Sequence, residues 1–129
     1  MENIVISDGE WKLMNVLWES SPCSLAEIVK AIESDTKWTK STVFVMLKRL
    51  MAKDAVAVDT SGKIQLYYPL IKKEDATINE TKSFLHRVYG GSIGMMVSSL
   101  AGQRSLSEKD IVELRRVLDE VEESFNKED

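Results

Sequence analysis

Between Ser7 and Pro69 the hydrophobic period of this chain changes once, at Asp54. Before Asp54, apolar residues recur every three or four positions behind three separate helix-start signals; after it they alternate. Ser7 with Glu10 forms a capping box, in which the serine hydroxyl accepts from a first-turn amide and the glutamate reaches back to the serine N–H. The helix that starts there carries Trp11, Met14, Leu17 and Trp18 on one stripe and ends at Ser20-Ser21-Pro22. Ser24 with Glu27 repeats the box ahead of Leu25, Ile28, Val29 and Ile32, and Thr39 caps a third helix over 40–53. The connection SDTKW between the second and third is short and polar, as in a helix-turn-helix. After Asp54, Val56 and Val58 alternate with smaller or polar residues. Thr60-Ser61-Gly62 supplies a turn, and Ile64, Leu66 and Tyr68 alternate again up to Pro69. Three helices and a two-stranded wing make a winged helix-turn-helix, which offers its third helix to the DNA major groove.

That helix has one face ordinary packing explains and one it does not. Val43, Met46, Leu47 and Leu50 fall at i, i+3, i+4 and i+7 and belong to a core. The opposite face carries Ser41, Val45, Lys48 and Ala52, flanked by Phe44 and Arg49, in a chain of net charge −4. The charge is uneven. Residues 1–35 hold two bases against seven acids (−5), 36–73 eight bases against two acids (+6), and 74–129 seven bases against twelve acids (−5). A phosphate-binding surface is a local property of the field, so the middle segment outweighs the total. A thymine methyl is an apolar target in the major groove that Phe44 or Val45 could meet. Ser41 and Thr42 would supply hydroxyls, and Lys40, Lys48 and Arg49 positive charge. Lys63, near the wing tip, is placed for a backbone contact. Alternatives stay open here: a solvated lysine-rich face, Phe44 packing under the wing or against the first helix, and Arg49 pairing with an acid of the first two helices.

From Glu74 the pattern is helical through Tyr89, with Ile78, Leu85 and Val88 on one side, and Gly90-Gly91 stops it. Ile93, Met96, Val97 and Leu100 give a second stripe, and Ser107 with Asp110 caps a last helix. In that helix Ile111, Leu114, Leu118, Val121 and Phe125 step by 3, 4, 3, 4, the spacing of an a/d seam. Three short helices below roughly 60 residues bury too little surface to stand alone, so a second copy is expected to complete them. The alternative is a monomer whose last helix folds back on the winged domain. The expected class is therefore mainly α: a winged helix domain over 1–73, then a three-helix dimerisation domain over 74–129.

Other classes find little support. One cysteine, Cys23, allows no internal disulfide, and with one histidine, His86, it builds no closed zinc site. No Gly-rich phosphate loop, nucleophile elbow or carboxylate cluster accompanies His86, so no enzyme and no cofactor is expected. No apolar run nears 18 residues and no basic leader precedes one, so the chain is expected in the cytoplasm without membrane insertion. A winged helix used as a protein-interaction module is the competing function.

The order of signals resembles the penicillinase and methicillin-resistance repressors, the BlaI/MecI/CopY family. Glu10-Trp11, Met14 and Trp18 match its first helix, and Trp38-Thr39, Thr42-Val43, Arg49-Leu50 and Lys53 its third. Tyr67-Tyr68-Pro69-Leu70 follows the wing. The likeness continues through Lys82, Phe84, Val88, Tyr89, Gly91 and Ser92, then Leu106, Ser107, Asp110, Ile111, Glu113 and Leu114. The resemblance implies a homodimeric transcriptional repressor binding double-stranded operators with inverted TACA-type half-sites. In β-lactam-responsive members repression is released by cleavage in the dimerisation domain, through a membrane sensor-protease. The bond aligned with their Asn-Phe site is Ser99-Leu100. A repressor of a β-lactam-resistance-type operon is therefore expected, and the alternative is a repressor answering another signal. Lys53-Asp54 stands where many members have Lys-Gly, and Val45 where many have Thr. The paired C-x-C motifs of the copper-responsive branch are absent, so metal sensing of that kind is not expected.

Overall fold

The structure, a computed structural model, describes residues 4–127. Among them the order is α1 (Asp8–Ser20), α2 (Leu25–Ile32), α3 (Lys40–Ala52), β1 (Val56–Asp59), β2 (Leu66–Pro69), α4 (Lys73–Tyr89), α5 (Ile93–Gly102) and α6 (Glu108–Lys127). The winged helix architecture expected from the sequence is present. The chain divides into two compact units, 1–81 and 82–129. The division falls inside α4, and Ala76 in the first turns of that helix is buried with the core of the first unit.

Local chemistry sets the helix starts. Both capping boxes form, with Glu10 N donating to Ser7 Oγ at 3.2 Å and Glu27 N to Ser24 Oγ at 3.2 Å. α3 ends in a left-handed residue: Asp54 has φ 61°, and Ala55 N reaches back to Leu50 O at 2.9 Å. Asp tolerates this conformation better than most non-glycine residues, so the turn closes without the glycine common there.

The core of the first unit is built from Leu13, Met14 and Leu17 of α1, Ile28 and Ile32 of α2, Val43, Leu47 and Leu50 of α3, and Val56 and Tyr67 of the hairpin. Trp11, Trp18 and Trp38 pack against it partly buried, and the Trp18 indole N–H donates to Ile71 O at 2.9 Å. The wing corrects one expectation. β1 and β2 pair antiparallel with Val58 opposite Tyr67 and Val56 opposite Pro69, which puts Tyr67 inward and Leu66 and Tyr68 on the other face. Ile64 lies outside the strand and is exposed. The phase is set by Cys23, whose N–H donates to Tyr67 O at 3.0 Å and whose C=O accepts from Tyr67 N at 2.7 Å, a third edge of pairing supplied by the α1–α2 connection.

In the second unit, α5 and α6 contain no buried residue. Gly90, with φ 58°, ends α4: its N–H donates to His86 O and that of Gly91 to Leu85 O, both at 3.1 Å. Ser107 and Asp110 cap α6 reciprocally at 3.0 Å.

Candidate nucleic-acid interface

Thr39 starts α3 by accepting from Thr42 N at 3.2 Å, and its hydroxyl lies 3.1 Å from that of Thr42. Thr42 thus spends part of its hydrogen-bonding capacity within the cap, while Ser41 remains exposed. With Val43, Leu47 and Leu50 fully buried, helical geometry turns the other side of α3 outward. Phe44 is 37% and Val45 48% exposed, and Lys40, Lys48 and Arg49 are exposed with them. Phe44 is not among the residues packed on the core. The Lys48 ammonium sits 4.9 Å from its ring centroid, a cation–π contact across one helical turn. Arg49 pairs with no carboxylate among the described residues, so its charge is available outward. Ser41, Thr42, Val45, Met46 and Arg49 line a shallow depression of about 350 Å³ on this face. Lys63 is exposed in the wing turn, where Asp59 Oδ1 accepts from Ser61 N at 2.9 Å and Ser61 Oγ at 2.7 Å.

Not every base of the segment is free. The Lys53 ammonium is bound to Glu10 Oε1 and to Val5 O at 2.8 Å. Glu10 is 2% exposed. Burial acts to raise its carboxyl pKa, but the hydrogen bonds from Lys53 and Ser7 outweigh it and hold the group below its ordinary range. The capping pattern gives Glu10 only its first role, and the apolar stripe of α1 leaves out Leu13, which is buried in the core.

The residues expected at a dimer seam are all exposed on the single chain. Ile111, Leu114, Leu118, Val121 and Phe125 line α6, with Leu118 at 63% and Phe125 at 66%, and Leu100 lies on α5. Ser99 and Leu100 are helical, and Leu100 O accepts from Ser105 N at 2.9 Å where α5 ends. His86 is exposed on α4, and no group of His, Cys, Asp and Glu able to hold a metal occurs among the described residues. No helix of the described residues is long and apolar enough to cross a membrane.

The model of the penicillinase repressor family matches residues 6–120. The chain is 33% identical over 115 residues to the penicillinase repressor of Bacillus licheniformis, covering 89% of this chain and 90% of that protein. It is 30% identical over 113 residues to the methicillin resistance regulatory protein MecI of Staphylococcus aureus strain N315, covering 88% and 92%. Among solved structures it resembles the monomeric form of Bacillus licheniformis BlaI in complex with the blaP half-operator, with TM-score 0.51 and 31% identity over 57% of this chain and 90% of that one.

Proposed function

Because the chain belongs to the penicillinase repressor family, whose relatives are DNA-binding repressors, we propose that it represses transcription as a homodimer, each copy placing α3 in one half of an inverted operator. The observation that carries the reading is the outward face of α3. It joins two exposed apolar side chains, Phe44 and Val45, to three cations, Lys40, Lys48 and Arg49, without ion-pair partners among the described residues. Apolar groups that reach thymine methyls read bases, and lysine and arginine fix register on phosphates. Lys63 reaches the backbone from the wing, and Ser41 and Thr42 contribute hydroxyls.

Dimerisation is supported by the second unit, whose α5 and α6 leave Leu100, Ile111, Leu114, Leu118, Val121 and Phe125 exposed. Water-exposed side chains at a/d spacing are stabilised when a two-fold related copy covers them. Repression is released by cutting Ser99-Leu100, which detaches α6 from the rest of the chain, and a membrane sensor-protease is the proposed agent. The proposed target is a β-lactam-resistance operon with TACA-type half-sites, read in the cytoplasm. The test is a gel-shift titration with such a duplex at several salt concentrations. Sequence-selective binding whose affinity falls steeply with salt is expected; a protein-interaction module would show neither.

A further inference from the structure

The far end of α3 is tied to the first turn of α1. Glu10 is the buried charged side chain among the described residues, and its Oε1 carries two donors, the Ser7 amide at 2.9 Å and the Lys53 ammonium. Its Oε2 accepts no hydrogen bond from the protein, so compensation of the buried charge rests on that one oxygen. Lys53 is the C-cap residue of α3 and also donates to Val5 O at 2.8 Å. Glu10 therefore sits where helix amides favour a negative charge and Lys53 where helix carbonyls favour a positive one, and the pair joins the two ends. The same turn of α1 touches α3 again through Gly9: a Cβ there would lie 2.8 Å from Met46 Cε and 3.3 Å from the Trp38 ring. Residues 5–10 thus hold α3 before its start, at its middle and at its end. These three contacts, together with the packing of Val43, Leu47 and Leu50 in the core, fix the direction of the exposed face with Phe44, Val45, Lys48 and Arg49.

We infer that the Glu10–Lys53 pair seats the recognition helix for base readout, and that Lys53, although it lies in the most basic segment, is a positioning residue and contacts no phosphate. Removing one partner of a buried pair leaves an uncompensated charge, which the domain relieves by shifting α1 against α3. A shift of that kind misplaces base contacts while leaving the phosphate-binding lysines outward. The inference rests on the operator-binding reading.

The test uses the full chain, a duplex with inverted TACA-type half-sites and a scrambled duplex of the same length, titrated over a salt series at a temperature where circular dichroism shows each variant folded. Lys53→Met is expected to lose about tenfold in operator affinity, of the order of one base contact. Affinity for the scrambled duplex and the slope of log affinity against log salt stay at wild-type values. Lys53→Arg, which keeps the charge and the reach to Glu10, restores operator affinity. A folded Lys53→Met protein that binds the operator as wild type does overturns the inference. So does an equal loss on both duplexes with a slope shallower by about 1.8, the mark of one lost phosphate contact in each of the two copies. If Lys53→Met does not fold, Glu10→Gln, which keeps the capping oxygen and removes the charge, takes its place. An unchanged ratio of operator to scrambled affinity then rejects the inference. A wild-type chain that does not distinguish the duplexes rejects the operator-binding reading itself, before any variant is compared.

Discussion

The two units of the chain solve the burial problem differently. In the first, three capped helices and a hairpin close over Leu13, Leu17, Ile28, Leu47 and Leu50, each with no exposed surface. In the second, the apolar residues of α5 and α6 line up at helical spacing, yet none is buried. The sequences are not less hydrophobic in kind; what differs is how many faces meet. Each helix of the first unit has neighbours on two sides, including the wing. A helix such as α6, with one apolar stripe and nothing covering it, is half of a structure. The contrast matches the proposed division of labour, in which the self-sufficient unit presents a rigid face to DNA and the incomplete one is completed by another copy.

The strongest way to break this contrast is to remove the assembling part. A fragment of residues 1–99 keeps the fold of the first unit and loses about 10²–10⁴ in affinity for an inverted operator, because two linked reading heads become independent. Sedimentation should show it shifted toward monomer, and tight dimeric binding by that fragment would contradict the release mechanism. Next in size, Leu47→Ala in the sealed core costs about 2–5 kcal/mol in denaturant unfolding, independent of protein concentration. Leu118→Asp, on the open seam, leaves the first unit's stability alone and yields a monomer. Should Leu118→Asp remain a dimer of unchanged affinity, the seam is misassigned.

Within the first unit the contrast sharpens to two kinds of contact on one helix. Phe44→Ala weakens operator binding by about 1–3 kcal/mol for each copy whose ring meets a thymine methyl, and Lys48→Ala lowers affinity for every duplex alike and makes the salt slope shallower by about 1.8, one phosphate contact per copy. Equal operator affinity of folded Phe44→Ala and wild type removes Phe44 from the reading face. The smallest effect is in acid. The Glu10 carboxyl is held below its ordinary value of 4.5, so its contribution to stability is complete above that value and is lost as pH falls through the lower folded one. Denaturant unfolding between pH 7 and pH 3 should show the first unit weakening at the acid end, and Glu10→Gln should flatten that limb; an unchanged limb means the pair does not report on folding.

Local rules carried far in the sequence. The serines that cap α1, α2 and α6, the threonine that caps α3 and the Gly90 stop all act through neighbours three to six residues away, and all appear where those rules put them. What local rules could not give was long-range. The inward residue of β2 is Tyr67, paired with Cys23 more than forty residues earlier, and the alternation of Ile64, Leu66 and Tyr68 does not single it out. Phe44 lies at the surface beside a core filled by Val43, Leu47 and Leu50, residues that meet α1, α2 and the hairpin. The Glu10–Lys53 pair joins two helix ends 43 residues apart, and a carboxylate already serving as a cap gives no sign of a second partner.

In the proposed function one unit reads and the other doubles the reading. This is tested most directly by titrating the full chain against an inverted repeat and against a single half-site of matched length. Two chains per inverted repeat, with affinity about 10²–10⁴ above that for the half-site, is the result expected. One chain per duplex, with the same affinity for both, would contradict it.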